Sequence, residues 1–393
     1  MTAKRSRLAA FFETYTKDLT ADDLQRLFTR DTRDAYRFVT RGVRTEAFAA
    51  LPWHKRFVAE ARVLFLAFTM KLSPARRVVY GASLVLAAIG FVNLFRGVGI
   101  VAPVLPFGVT VGVPSPVFQQ GAWSLFVAFA LINLLVLLEV ADRLSLKNDL
   151  EIAREIQQAM LPSGVYSAAG VEAIGSSRPA NTVGGDFYDI IPLADGRLVI
   201  ALGDVAGKGS PAALLMALAV AMLRTLVDEG LEPADLVTRL NKQVCRQAPG
   251  TRFITLFYAV YDPLTGLMQY VNAGHTQPLR VRADRMCERL VDGGIALGMF
   301  EQSTYGVARV TIQPDELIAI YSDGITEAES PSGRPFDESG LESVLAANIG
   351  GDLSVIGSTI VRAVEQHTAD TRLADDLTIL LLRRTTVGVP AGV

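Results

Sequence analysis

Cysteine is scarce in this 393-residue chain: Cys245 and Cys287 are its two thiols, and they stand at no metal-ligand spacing. A disulfide-stapled framework is thereby excluded, and the usage suits a reducing compartment in which both act as buried small hydrophobes. Net charge is nearly absent as well, 38 basic against 40 acidic residues leaving -2. No global field of either sign then recommends nucleic acid as a partner. Charge is also missing locally, since from Val78 to Leu138 the one charged side chain is Arg96.

Two stretches of that window are long enough to cross a bilayer. Val78 to Phe95 would make a helix of roughly 27 Å, close to a hydrocarbon core of about 30 Å. The second span covers about 122–138. Between them Pro103, Pro106, Pro114 and Pro116 with Gly99, Gly108 and Gly112 forbid a regular helix, so an apolar loop is expected rather than a third span. A buried soluble hairpin is the competing reading, but apolar runs with charges only at their ends favour lipid. Lys55, Arg56, Arg62, Lys71, Arg76 and Arg77 precede the first span and Arg143 and Lys147 follow the second. Against Arg96 alone on the connecting side, this bias places both termini in the cytoplasm of a multi-pass protein of the cell (inner) membrane. Glu13, Lys17 and Asp18 interrupt any apolar run behind Lys4, Arg5 and Arg7, which argues against a cleaved signal peptide.

Glycine and proline are both missing from Glu139 to Leu161, where Leu146, Leu150, Ala153, Ile156 and Met160 recur at steps of three and four. That spacing predicts an amphipathic helix whose apolar stripe needs a partner surface, either a second subunit of a homodimer or the following domain. Ile156 and Met160 are its candidate regulatory positions. Pro162, Ser163 and Gly164 end it. The predicted organisation is a helical cytoplasmic region over 1–70, in which Thr20 to Asp23 look like a helix start, and a transmembrane region over 71–138. A helical linker over 139–162, a catalytic domain over 163–385 and a tail over 386–393 follow.

Past the linker, short strands and turns deliver aspartates to strand ends. Asp186 closes Val183-Gly184-Gly185-Asp186 and precedes a strand; Asp195 and Gly196 form a hairpin turn; the return strand, Leu198 to Gly203, leads to Asp204 and a glycine-rich loop. Ser210 and Pro211 then open a helix. The strand Leu317 to Tyr321 ends at Ser322-Asp323-Gly324, and Asp375 and Asp376 open the strand Leu377 to Leu382. One Asp-Gly element alone is an ordinary turn. Convergent carboxylates, however, need compensation, and hard divalent cations bound through oxygen are the usual one, with no His or Cys cluster competing for a softer metal.

Six motifs in order resemble the PPM, or PP2C-like, metal-dependent phosphatases in their bacterial SpoIIE/RsbU-like branch. They are Ile156-Gln157-Gln158-Ala159-Met160-Leu161-Pro162, Gly184-Gly185-Asp186-Phe187-Tyr188-Asp189, and Gly203-Asp204-Val205-Ala206-Gly207-Lys208-Gly209. Asn272-Ala273-Gly274-His275, Ser322-Asp323-Gly324 and Asp375-Asp376-Leu377-Thr378 complete the set, and the resemblance covers roughly Glu151 to Arg384. It implies an α+β fold, an α-β-β-α sandwich of two antiparallel sheets flanked by helices, preceded here by an all-α membrane region.

The resemblance further implies two divalent ions, Mn²⁺ or Mg²⁺, and hydrolysis of phosphoserine or phosphothreonine by a water activated between ions about 3.5–4 Å apart. Asp204 would bridge the ions, with the Val205 carbonyl on one of them. Asp186 would serve the second ion, and Asp323 and Asp375 would complete the first, with Asp376 the substitute if the terminal pair is offset by one. Apart from the resemblance, Lys208 is read as contacting phosphate or simply facing solvent, the former being favoured. By analogy the substrate is a phosphoprotein such as a STAS-type anti-sigma-factor antagonist. The pattern departs from eukaryotic relatives at Thr182, where they carry a phosphate-binding arginine, and at Ala206, where they carry a histidine; His275 reads as a turn or core histidine. A catalytically degenerate, membrane-tethered binding module is the alternative. Diguanylate cyclases lack the later motifs, and a sensor kinase would need nucleotide-binding boxes that do not follow.

Residues 98–120 are expected outside the cytoplasm. A cysteine introduced by Ser115→Cys should be labelled by an impermeant reagent added to intact cells; labelling only from the cytoplasmic side would reverse the topology.

Overall fold

The computed structural model describes residues 72–96, 116–168, 170–248, 252–369 and 373–385, with scattered positions between 52 and 70. The helix start expected at Thr20 to Asp23, the proline-rich loop over 98–115 and the tail at 386–393 lie outside the described residues. The chain divides into two compact units, Met1–Leu144 and Ser145–Val393.

In the first unit, helix α1 (Pro74–Arg96) begins where Ser73 offers its hydroxyl to the Arg76 N–H at 3.5 Å, four residues before the expected span. Helix α2 (Pro116–Met160) opens in this unit and runs unbroken for 45 residues, so the second span and the linker form one helix rather than two segments. The reason lies in the sequence: no glycine or proline interrupts it after Gly121. A Cβ on Gly90 would lie 2.9 Å from the Gly121 carbonyl oxygen and one on Gly121 2.9 Å from that of Gly90, so small residues set the approach of α1 and α2. Arg76 pairs with Glu139 at 3.3 Å and Asp142 at 2.7 Å. The apolar side chains Phe91, Phe95, Trp123, Phe126, Phe129 and Leu137 are exposed, and both helices are long and apolar enough to cross a membrane.

The second unit is a layered α/β sandwich. Its strands are β1 (Tyr166–Ala168), β2 (Val171–Arg178), β3 (Phe187–Pro192), β4 (Leu198–Val205), β5 (Ile254–Tyr261), β6 (Leu267–Ala273), β7 (Leu279–Val281), β8 (Cys287–Arg289), β9 (Ala308–Thr311), β10 (Leu317–Tyr321) and β11 (Leu377–Arg384). Among the described residues they form two antiparallel sheets, ordered β3-β4-β5-β6-β9 and β1-β2-β11-β10-β7-β8. Helices α3 (Ser210–Asp228) and α4 (Pro233–Gln247) cover the first sheet; α6 (Asp337–Asn348) and α7 (Leu353–Thr368) cover the second, after the one-turn α5 (Asp323–Thr326).

Alternation along the strands explains the layers. Leu198, Ile200 and Leu202 of β4 face Ile318 and Ile320 of β10 and Leu380 and Leu382 of β11 between the sheets. Val199 and Ala201 face Leu215, Ala219 and Leu223 of α3 on the other side. Strands buried on both faces read as continuous apolar runs, which is why their period is faint in sequence. Helix α3 also meets the length and hydropathy of a membrane span, but half of it is buried against this sheet, so it is a core helix. Its helical stretch opens at Ser210 behind Gly209, whose φ of +75° makes glycine the N-cap in place of the expected Ser210.

Two further expectations shift. The compact division falls at Leu144/Ser145 rather than near Pro162, because the last turns of α2 pack on the sandwich: Gln157 is buried and Met160 and Leu161 lie against its core. Cys245 and Cys287 are free thiols but only half-buried.

A Cβ on Gly175 of β2 would lie 2.1 Å from the ring of Tyr188 on β3, whose hydroxyl donates to the Pro162 carbonyl at 2.8 Å. Gly175→Val should therefore cost about 1–3 kcal/mol through overpacking. Denaturant unfolding reads this, and a wild-type midpoint would mean that the ring moves aside freely.

Candidate active site

The sandwich topology brings the predicted aspartates to one end of the molecule from both sheets. Asp186 precedes β3 and Asp204 lies near the end of β4, opposite Thr255 of β5. From the other sheet, Asp323 follows β10 at the start of α5, and Asp375 and Asp376 precede β11. The connections there are tight. A Cβ on Gly324 would stand 2.1 Å from the Asp376 carbonyl oxygen, so glycine alone lets the β10 end lie against the start of β11. Ser322 joins the same two segments by accepting the Thr378 N–H at 3.0 Å and donating to the Asp376 carbonyl at 3.1 Å.

The charges show in the proton equilibria. Asp186 is buried and its carboxyl is held well above the usual range, first by burial and then by the charges of Asp204 and Asp376; the Thr378 and Ser322 hydroxyls pull the other way. Asp204 is pushed up to about 6 by burial, opposed by its contact with Asp186 and reinforced by Asp323, Asp375 and Asp376. Asp323 is raised by burial, Glu327 and Asp375, against Lys208. Asp186 Oδ2 has no hydrogen-bond partner although it is buried. A cluster of this kind with an orphaned buried oxygen fits hard cations, and its donors are all oxygens. Among the described residues, no three acidic, histidine or cysteine groups already close on one point. The Val205 carbonyl oxygen would be 3.0 Å from a Cβ on Gly185, beside Asp186.

Asp375 and Asp376 are differently occupied. Asp376 Oδ1 accepts the Ala180 N–H at 2.8 Å and Oδ2 the Gly185 N–H at 2.7 Å, so this carboxylate clamps the segment leading to Asp186. Asp375 lines an open cleft of about 510 Å³ with Lys208, Gly324 and Glu327. Lys208 holds Asp375 Oδ2 at 2.8 Å and the Ala374 carbonyl at 2.6 Å, tying the glycine-rich loop to the start of β11. Ile156 is exposed on α2, whereas Met160 is half-buried. His275 is buried, its Nδ1 2.9 Å from the Thr255 hydroxyl and its N–H bonded to Asn272 Oδ1 at 2.7 Å. Burial pushes it down to about 4, so it is a neutral core histidine at the end of β6.

Three contributors escape sequence reasoning. Arg252 donates to the Ala206 carbonyl at 3.2 Å and covers Gly207, whose φ is +106°; its position opposite the loop follows only from the β4–β5 register. Arg224 of α3 binds the buried Asp189 at 2.7 Å and the Met160 carbonyl at 2.7 Å. Gln157 is a buried polar residue whose partners lie 27 and 59 positions away.

Two antiparallel sheets between helix pairs, with acids of both sheets meeting at one end, define a PP2C-like phosphatase domain. Residues 194–385 of the chain match the family model described as Stage II sporulation protein E (SpoIIE). That stretch includes Asp204, Asp323 and Asp375 and begins after Asp186. The chain is 30% identical over 281 residues to Protein IcfG of Synechocystis sp., covering 64% of this chain and 44% of that protein. It is 28% identical over 243 residues to Phosphoserine phosphatase RsbU of Bacillus subtilis, covering 61% and 71%. The chain thus spans less than half of the first relative. Among solved structures, the SiaA-PP2C domain of Pseudomonas aeruginosa superposes with a TM-score of 0.55 at 22% identity, covering 62% of this chain and 98% of that one, and shares the fold.

The sign of a pH effect follows from Asp204. Without divalent ions the folded state keeps a proton that the unfolded chain loses above 3.8, so stability falls as pH rises to about 6. In chelator, Asp204→Asn should gain on wild type across that interval, and saturating Mn²⁺ should reverse the order. A difference that does not change with pH in denaturant unfolding would remove Asp204 from the cluster.

Proposed function

We propose that the chain is a membrane-anchored protein serine/threonine phosphatase that hydrolyses phosphoserine or phosphothreonine on a phosphoprotein, its domain over 163–385 facing the cytoplasm. The observation that carries this reading is the gathering of Asp186, Asp204, Asp323 and Asp375 from both sheets at one end of the fold, one of them with an orphaned buried oxygen. When bound, two divalent ions, Mn²⁺ or Mg²⁺, supply the positive charge that activates water and neutralises the phosphoryl oxygens. Asp204 and the Val205 carbonyl, with Asp186, Asp323 and Asp375, would hold them; the two backbone N–H groups that Asp376 accepts favour a loop-clamping role for that carboxylate. Lys208, beside Asp375, and Arg252, which has no carboxylate partner among the described residues, are the cations we favour for contact with a bound phosphate.

The name phosphoserine phosphatase borne by RsbU supports the substrate class. A STAS-type signalling protein is the partner we favour within it. The exposed apolar faces of α1 and of the first part of α2 support the anchor, with the spans at Pro74–Arg96 and within Pro116–Met160. Leu146 and Ile156 remain exposed in a single chain, which favours a homodimer through this helix as the route of regulation.

Phosphate release from a phosphoprotein with and without Mn²⁺ tests the activity. Asp204→Asn and Asp323→Asn should each lower it by more than the ~10–100-fold typical of losing an outer partner of a metal site. Turnover at the wild-type rate in either purified, folded variant would refute the assignment.

A further inference from the structure

Gln157 sits one turn before the end of α2 and is 7% exposed. Its Nε2 donates to the Gly184 carbonyl at 2.8 Å and its Oε1 accepts the Gly184 N–H at 3.1 Å, so one side-chain amide satisfies both backbone groups of a single residue. Nε2 also stands 3.5 Å from Met216 Sδ on α3. On the other side of the loop, Asp376 takes the neighbouring Gly185 N–H, and a Cβ on Gly184 would lie 2.4 Å from Asp376 Oδ2. The segment is therefore gripped between two buried side chains with no room for its own.

The grip opposes a definite force. Asp186 follows two residues later, buried beside Asp204 and Asp376, and a carboxylate in that position gains by swinging its loop toward water. The end of α2 is in turn fixed, since Arg224 binds the Met160 carbonyl at 2.7 Å while bound to Asp189. Hydrogen bonds thus tie the helix end to the segment that leads into Asp186.

We propose that Gln157 is a positioning residue for the divalent-ion site: through both backbone groups of Gly184 it holds Asp186 where an ion can bind, so ion affinity depends on this amide. The inference rests on the two-ion reading of the site. Gln157→Glu conserves shape but removes the N–H and sets oxygen against the Gly184 carbonyl; Gln157→Leu removes both bonds. In the purified full chain, each variant should raise the Mn²⁺ dissociation constant measured by calorimetry about 10–100-fold, the range found for outer partners of metal ligands. Turnover at saturating Mn²⁺ should recover toward wild type, a split that a generally damaged fold would not give. Hydrogen exchange at the Gly184 and Gly185 amides should accelerate in both variants, whereas Gln158→Glu, at the exposed neighbour, should change none of these.

Unaltered Mn²⁺ affinity in variants whose Gly184 amide exchanges faster would overturn the proposal, as would undiminished protection of that amide. If wild type binds Mn²⁺ but releases no phosphate, the phosphatase reading fails while the dissociation constants still decide the role of Gln157. A wild type that binds no Mn²⁺ would overturn both.

Discussion

Electrostatic repulsion among buried acids is the constraint around which this domain is arranged. Burial raises the proton affinity of Asp186 and Asp204 first, and like charge adds to it: Asp204 and Asp376 act on Asp186, while Asp323, Asp375 and Asp376, from the facing sheet, act on Asp204. Such a group persists in a folded protein only if the surrounding backbone is held more firmly than the charges push. The sandwich meets this by packing: the strands bearing the acids are buried on both faces, so their ends move little independently of two apolar layers.

At the end of the sandwich, where strands become loops, apolar packing runs out and specific polar contacts take over. Ser322 joins β10 to β11, Lys208 joins the glycine-rich loop to Asp375, and Asp376 and Gln157 grip the segment before Asp186 from two directions. Glycine is required at the closest approaches, Gly184 and Gly324, because the clamping atoms occupy the space of a side chain. Each of these contacts joins segments distant in sequence. The geometry of the acids is therefore a property of the whole sandwich rather than of any one loop.

This explains how much could be read from the sequence. The β3–β4 hairpin was legible from Asp195-Gly196 and its flanking runs, the strand Leu317 to Tyr321 from its length and apolarity, and the acids from their recurrence at strand ends beside glycine. What distinguishes Asp375 from Asp376 was not legible: the two are adjacent and chemically identical, and only the backbone N–H groups of Ala180 and Gly185, nearly two hundred residues earlier, tell them apart. Gln157 and Arg252 escaped for the same reason, since their partners are fixed by tertiary packing and strand register. The continuity of α2 was the opposite case. The lack of glycine and proline was plain, but the change from apolar to amphipathic pattern at Glu139 led to a span and a linker being read as separate segments, which the backbone joins in one helix.

The adjacency of Asp375 and Asp376 has a consequence for how such a chain can vary. Consecutive residues in extended backbone face opposite ways, so inserting or deleting one residue just before β11 would exchange a cleft-facing acid for a loop clamp and reverse every side chain of a strand buried on both faces. The loop ahead of it is at the surface, where length changes are ordinarily absorbed. Here the spacing from Asp375 to Leu382 is as rigidly specified as any core residue, whereas the turn at Asp195-Gly196, at the far end of the same sandwich, is free to lengthen. Divergence within this architecture should accordingly accumulate at one end of the strands and be almost forbidden at the other.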